Sequence, residues 1–311
     1  MRILVTGGAG FIGSHTVDAL IGAGHETAVI DDFSSGKRTQ INAAARFHQA
    51  DLRNADAINQ IVSQEQPEVV YHLAAQMDVR RSVADPAFDA AVNLVGFLNL
   101  VEAGRRNGLK RVIFSSTGGA IYGEQESFPC DEDHPLRPVS PYGVAKLATE
   151  KYLFFYRAEY GLEYTALRYA NVYGPRQDPH GEAGVVAIFC GRMLAGQPVT
   201  IYGDGDQTRD YVFVGDIVRA NLAAIQANAT GAFNIGTGIE SSVNRLYEEL
   251  AAVAGRAIAP EHRPKRAGEQ RRSVISSARA AKMLDWRPQV TLADGLRETF
   301  NFFKQRASVS S

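Results

Sequence analysis

Tyr142 and Lys146 stand four residues apart in Pro141-Tyr-Gly-Val-Ala-Lys146, so a helix sets them one turn apart on one face. A phenol with an ordinary pKa of about 10 is a weak base at neutral pH. An ammonium one turn away favours the phenolate and lowers that value. Placed over a nicotinamide, such a pair can take a proton from a hydroxyl whose carbon gives up a hydride. Chance surface pairs share this spacing, so the context decides. Here the context is Ser115-Ser116-Thr117, closing an apolar run, and a glycine-rich turn at the start of the chain. Gly8, Gly10 and Gly13 fit G-x-G-x-x-G, while Gly7, Gly10 and Gly13 fit a wider dinucleotide spacing. A tight turn, a backbone without Cβ beside a pyrophosphate, and close helix–strand packing all require such glycines. Asp31-Asp32 then ends the next strand-like run, Glu26 to Ile30. A carboxylate there accepts adenosine ribose hydroxyls and repels a 2′-phosphate, so NAD is expected over NADP. Lys37 and Arg38, just downstream, weaken that preference.

These residues need elements to hold them. Short apolar runs recur at Ile3 to Val5, Glu26 to Ile30, Phe47 to Leu52, Val69 to Ala75 and Arg111 to Ser116, with helix-like segments at 55–65 and 86–107. The alternation predicts an α/β fold with a doubly wound, parallel, Rossmann-like sheet. In such sheets ligands sit beyond the carboxyl ends of the strands, where Asp31, Asp51, Ala74-Ala75 and Ser115-Ser116 all fall. A helix from Tyr142 to Tyr160 follows, then a strand, Tyr164 to Arg168, that opens into Tyr169-Ala-Asn-Val-Tyr-Gly-Pro175. After that the rhythm changes. Residues 1–174 and 212–237 are expected to form the NAD-binding domain. Residues 175–211 and 238–311 form a smaller, interleaved C-terminal domain for the substrate.

Composition excludes other classes. With 311 residues, 45% of them hydrophobic, the chain has ample material for a core. A net charge of −1 gives no global field for nucleic acid or an anionic membrane. No apolar run approaches the roughly 18 residues of a spanning helix. The chain enters a strand at once, leaving no room for a signal peptide. Cys130 and Cys190 have neither metal nor redox spacing, which suits reduced thiols in a cytoplasmic protein, and no metal is expected. His72 lies in an apolar strand and reads as a core histidine. The run Tyr152, Phe154, Phe155, Tyr156 reads as packing, and Arg263, Lys265, Arg266, Arg271 and Arg272 form a basic stretch.

The glycine turn, Asp31, the Ser-Ser-Thr strand end, Tyr142-Gly-Val-Ala-Lys146 and Arg168-Tyr-Ala-Asn-Val-Tyr-Gly-Pro175 together resemble the extended short-chain dehydrogenase/reductase family. Within it the chain is similar to the nucleotide-sugar 4-epimerases, across residues 1–305. The resemblance implies Tyr142 as the base, Lys146 as its partner on the nicotinamide ribose, and Thr117 as a hydrogen-bond partner of the sugar 4-hydroxyl. It implies cofactor contacts at Gly7, Gly10, Phe11, Ile12 and Gly13. Asp31, Asp32, Ser35 and Gly36 would surround the adenosine ribose, and Asp51 and Leu52 would frame the adenine. Leu73, Ala74, Ala75, Gln76, Asn93, Ser115 and Tyr169 are further implied cofactor contacts. Asn171, Val186, Tyr202, Arg209, Arg266 and Glu269 would hold the UDP-sugar. Guanidinium forks suit its two phosphates.

Two departures stand out. Met77 occupies the place of a family lysine that bonds the cofactor phosphate, and Gly118-Gly119 adds one residue after Thr117. Relatives that dehydrate or decarboxylate carry a second acid directly after the Ser/Thr. Gly118 stands there instead, so the resemblance implies simple 4-epimerisation of UDP-glucose and UDP-galactose. UDP-glucuronate 4-epimerases tend to carry threonine in place of Asn171 and arginine in place of Asp178; another UDP-hexose is a further alternative. Non-catalytic NAD-binding regulators on this fold lose the tyrosine that is kept here. The resemblance implies that Ser273 borders the space at carbon 2 of the sugar, where a small residue leaves room for an acetamido group. A homodimer is implied, through the helices at 88–106 and 142–160.

Overall fold

Short, mostly apolar runs of four to seven residues become seven parallel strands, most of them joined through helices; the second and third are joined without an α-helix, and the third is a partly exposed edge. The computed structural model describes residues 1–179, 184–227, 229–255, 258–265 and 270–309. In chain order the first elements are β1 (Arg2–Thr6), α1 (Phe11–Gly22), β2 (Glu26–Asp31), β3 (Arg46–Gln49), α2 (Ala55–Glu65) and β4 (Val69–His72). Then come α3 (Val79–Ala84), α4 (Pro86–Ala90), a π turn (Ala91–Val95), α5 (Gly96–Arg106) and β5 (Arg111–Thr117). They are followed by α6 (Pro141–Tyr160), β6 (Glu163–Tyr169), β7 (Asn171–Tyr173), α7 (Val185–Leu194), β8 (Thr200–Tyr202) and β9 (Thr208–Phe213). The chain closes with α8 (Val214–Gln226), β10 (Gly231–Ile235), β11 (Glu240–Ser242), α9 (Val243–Ala254), β12 (Glu261–Arg263), α10 (Ala278–Met283) and α11 (Leu292–Val309).

The central sheet runs β10-β6-β5-β4-β1-β2-β3, parallel throughout. Ile3, Val5, Val29 and Tyr71 join the layer that includes α1 and α8, while Leu4, Ala28, Ile30 and Val70 join the layer of α2 and α5. That alternation is the pleat read out as two cores. Strand order reverses between β1 and β4, which opens a crevice at their carboxyl ends.

A second assembly combines the three-stranded sheet β11-β9-β7 with α7, α9 and α11 around Phe189, Ile201, Leu246 and Leu296. β7 begins inside 1–174 and β9 spans the 211/212 boundary. Ala280 and Leu284, with Trp286, pack into the core under the parallel sheet. The helical stretch Pro86–Arg106 reaches a mean hydropathy of 1.2, enough by length and composition to cross a membrane, which the expectation of no such apolar run did not foresee. Its inner face, Phe97, Leu100 and Val101, packs in the core of the parallel sheet.

Candidate active site at the ends of the parallel strands

The glycine turn closes between β1 and α1. Gly7 has φ +72°, the left-handed region, and a Cβ there would lie 2.7 Å from the Ala74 amide nitrogen at the end of β4. A Cβ at Gly13 would meet the Gly7 carbonyl oxygen at 2.0 Å. The turn therefore seats α1 against the strand end with room for nothing larger. Gly10 precedes Phe11 and Ile12 as the N-cap of α1 and has no side chain to satisfy the helix's first N–H groups. Those donors and the positive helix end suit a pyrophosphate.

Asp31, at the end of β2, is buried. Its Oδ2 accepts from the Ala9 N–H at 3.0 Å and its Oδ1 from the Phe33 N–H at 2.9 Å. Burial raises its pKa, and those two N–H groups pull the other way. Each oxygen keeps a lone pair for a ribose hydroxyl. A Cβ at Gly36 would sit 2.7 Å from Asp31 Oδ1, so the loop presses on the carboxylate. Asp32 is exposed and accepts from the Ser34 N–H at 2.8 Å, and Ser35 beside it is exposed. Asp51 is held by the Arg53 guanidinium, which lowers its pKa; Leu52 is buried against α5. This cradle fits NAD. A dinucleotide needs the close turn, the helix N-terminus and the carboxylate in this order.

At the end of β4, Leu73 and Ala74 donate to the Thr6 carbonyl and hydroxyl at 3.2 and 3.3 Å, and Ala75 follows, half-buried. Gln76 bonds Asn93 twice: its N–H donates to Asn93 Oδ1 and its carbonyl accepts from Asn93 Nδ2, both at 2.9 Å. Asn93 lies in the π turn, a distortion often found where a helix serves a site. Met77 is exposed. His72 is a core residue: its ring stacks on Phe114 and lies 2.8 Å from Thr6 Oγ1, and burial holds it neutral, with its pKa lowered to about 3.

Pro141 at the first turn and the Ser140 side chain, accepting from the Gly143 N–H at 3.2 Å, start α6. Tyr142 thereby stands at the helix entrance and Lys146 one turn in. Lys146 is 2% exposed. Its Nζ donates to the Ser115 carbonyl at 2.8 Å and lies 5.7 Å from the Tyr142 ring centroid. Burial pulls Lys146 down to about 7, against the charges of Asp89 and Glu150. Burial also raises the Tyr142 phenol, and the Asp89 charge adds to that rise, the reverse of the lowering expected from the Lys146 spacing. Thr117 ends β5, and its Oγ1 accepts from the Ala120 N–H at 3.2 Å. The Gly119 Cβ direction points between Thr117 Oγ1 and Asn171 Oδ1, at 4.0 and 3.9 Å, so Thr117 and Asn171 share one corner.

Below this corner lies a buried network that the sequence reading missed. Ser116 Oγ donates to Glu150 Oε1 at 2.6 Å, and the Arg168 guanidinium donates to Glu150 at 2.6 and 3.0 Å and to the Tyr122 hydroxyl at 2.9 Å. It ties β5, α6 and β6 together under Thr117. Glu150 one turn beyond Lys146, and a lone arginine in an apolar strand, were the available signals.

Two of the residues expected as contacts have their side chains packed in cores. Tyr169 is buried, and its hydroxyl donates to Asn221 Oδ1 on α8 at 2.6 Å, inside the core. Its position at a strand end did not reveal which face it takes. Val186 is buried in the core of the second assembly, because the apolar face of α7 packs inward. On that assembly Tyr202 lines a cavity of about 130 Å³ with Gly203, Asp204, Gln207, Lys265 and Arg271. Arg209 stands on β9 and donates to the Thr208 carbonyl at 2.7 Å. Arg271 forks onto Asp204 and Arg272 onto Glu240. Arg266 and Glu269 lie outside the described residues.

A model of the NAD dependent epimerase/dehydratase family matches residues 3–236. The chain belongs to this family. Among members of the NAD dependent epimerase/dehydratase family, a curated UDP-glucose 4-epimerase of Mycolicibacterium smegmatis is 47% identical, over 99% of this chain and 100% of that protein. The crystal structure of a UDP-glucose 4-epimerase of Thermotoga maritima, with UDP-glucose, superposes with a TM-score of 0.97 at 50% identity, covering 99% of this chain and 100% of that one. A Thermus thermophilus UDP-glucose 4-epimerase in complex with NAD gives a TM-score of 0.93 at 46% identity, covering 98% of this chain and 99% of that one. The glycine turn, Asp31 and the Tyr142–Lys146 pair all fall within the matched span.

Proposed function

We propose that the chain interconverts UDP-glucose and UDP-galactose as a UDP-glucose 4-epimerase with resident NAD. The observation that carries this reading is the gathering of Tyr142, Lys146 and Thr117 around the end of β5, with glycines and no carboxylate behind Thr117. Tyr142 takes the proton of the sugar 4-hydroxyl, and Thr117 orients that hydroxyl. Lys146, as an ammonium, stabilises the phenolate. The glycine turn and Asp31 would hold NAD, which when bound would supply the hydride acceptor and donor at carbon 4; the configuration there inverts through a flat 4-keto sugar. Arg209 and Tyr202, with Arg266 and Glu269, anchor the UDP moiety while the sugar presents its other face. With no second acid beside Thr117, elimination at the neighbouring carbon has no catalyst. Asn171 and Asp178, an acid paired with Lys37 at 3.5 Å, favour a neutral hexose over a uronate.

The test is incubation with UDP-galactose, UDP-glucuronate and UDP-N-acetylglucosamine, read from the anomeric proton by NMR. Tyr142→Phe is expected to lower turnover by about 10³-fold, within the range of general acid–base catalysis, and to leave NAD bound. Near-wild-type turnover in that variant, or turnover of UDP-glucuronate alone, would overturn the assignment.

The division into 1–174 with 212–237 for NAD and 175–211 with 238–311 for the sugar nucleotide is part of this proposal, with α10 assigned to the first part by its packing. So is a homodimer. α6 exposes Val144, Tyr152, Phe154, Phe155 and Tyr160, and Val95 is exposed on the adjoining π turn. Such an apolar surface on neighbouring helices suits a symmetric four-helix interface.

A further inference from the structure

One buried carboxylate near the site has no part in the chemistry above. Asp89, on α4, is 1% exposed. Its Oδ1 accepts from Gln76 Nε2 at 2.9 Å and from Asn93 Nδ2 at 3.0 Å. Its Oδ2 is buried and, among the described residues, has no hydrogen-bond partner. A carboxylate half-satisfied in a protein interior is costly to keep and calls for an explanation. α4 and the π turn after it both pack against α6, which carries Tyr142 and Lys146. Asp89 thus stands between the loop that leaves β4 and the helix that holds the base.

We propose that Asp89 is a positioning residue for the Tyr142–Lys146 pair, supplying the buried counter-charge of the Lys146 ammonium while it fixes the Gln76–Asn93 loop. The Lys146 ammonium donates to the neutral Ser115 carbonyl, which leaves its charge to be balanced from further off. The other charged groups nearby do not replace Asp89. Glu150 on α6 is locked to Arg168 of β6 at 2.6 Å. His72 on β4 is neutral at physiological pH. Arg80, Arg81 and Asp85 on the α3 side are exposed, Asp78 caps α3, and Arg53 and Arg81 lie over Phe88. Asp89 is the leading charge acting on both members of the pair. A buried anion raises the proton affinity of every group that feels it, whichever of the two holds the proton. Its removal must therefore move the whole pH profile of the pair towards acid.

This inference rests on Tyr142 being the base, and the experiment separates the two. Asp89→Asn is nearly isosteric and keeps an oxygen for Gln76 and Asn93. In protein carrying 13C at the lysine ε-carbon, the Lys146 signal, identified by its loss in Lys146→Arg, is followed against pH without cofactor or substrate. In wild type it is expected to titrate near 7, well below the other lysines. In Asp89→Asn the midpoint is expected to fall by about one unit, a modest effect for a nearby opposite charge. Both limbs of the kcat profile should move to lower pH by a similar amount. A purely structural role would lower kcat and leave the midpoints in place, and that result would overturn the proposal. If Asp89→Asn does not fold, Asp89→Ser, smaller and also uncharged, is expected to give the same fall, and an unmoved midpoint there would overturn it equally. Retained turnover in Tyr142→Phe would sink the reading of the base. A dead Tyr142→Phe with unshifted midpoints in Asp89→Asn would sink only the role of Asp89.

Discussion

Ser273 concentrates a question of specificity in one side-chain volume. It is buried, and its carbonyl accepts from the Asp210 N–H at 2.9 Å, two residues along from a matching bond between Thr208 and Arg271. The segment thus runs alongside β9 and sets Ser273 opposite the Arg209 region. A serine leaves space that a tyrosine would fill, and overlap rejects a bulky group more strongly than a missing contact does. The wild-type chain is expected to act on UDP-N-acetylglucosamine beside the unsubstituted sugars. Ser273→Tyr should remove that activity and spare UDP-galactose within about threefold, because the substitution adds bulk away from carbon 4. Anomeric-proton NMR of each substrate decides this. If wild type ignored the N-acetyl sugar, Ser273 would not line the pocket.

At the scale of elements, β4 carries both a strand end of the site and a pH-sensitive core residue. His72 is held neutral by burial, with a pKa of about 3 against an ordinary 6.5. The unfolded chain takes up a proton near pH 6.5 that the folded chain refuses. Stability from this source is therefore complete above about pH 6.5 and is lost as pH falls towards 3, with a slope of about 1.4 kcal/mol per pH unit. Denaturant titrations at pH 7 and pH 5 should show the loss, and His72→Asn should flatten it while lowering stability at pH 7. An unchanged slope in that variant would rule His72 out as the titrating group. The elements themselves were legible wherever a period or a motif was: five apolar runs with the helices that follow four of them can be read from apolar spacing, and the glycine turn and the Tyr-x-x-x-Lys helix from their motifs. Asp89, Glu150 and Arg168 were not, because a charged residue on an amphipathic helix or at a strand end reads as solvated until its neighbours are known. The packing of Tyr169 and Val186 was hidden for the converse reason. Their places in chain order were right for a site, but the face each presents is set by packing partners, α8 for the first and the core around α7 for the second. The helix at 86–107 hid its π turn, since one extra residue per turn leaves the apolar pattern nearly intact.

For the whole molecule, assembly and folding both follow from where apolar and polar groups end up. Phe154 and Phe155 are 61% and 46% exposed on α6, too much apolar surface on one helix to be a neutral choice in a monomer. Phe154→Asp is expected to convert a dimer into a monomer in sedimentation at micromolar concentration while leaving the NAD site intact. A wild-type monomer under the same conditions would reject the interface. One further consequence comes from Asn221. Its carbonyl accepts from the Tyr71 hydroxyl at 2.8 Å, its Oδ1 from the Tyr169 hydroxyl at 2.6 Å, and its Nδ2 donates to Thr16 Oγ1 at 2.9 Å. Three segments made early in synthesis thus wait for one residue made late, and the edge strand β10 comes later still. A chain leaving the ribosome holds six of the seven parallel strands before the asparagine that joins them has been translated. Until then the hydroxyls of Tyr71 and Tyr169 lack their partner, while that of Thr16 has only the Ile12 carbonyl of its own helix, and one face of the sheet stays open. The nascent chain crosses that interval without its first core closed, so slowing translation through α8 and β10 is expected to lower the yield of folded protein, which a pulse-labelled folding assay would check.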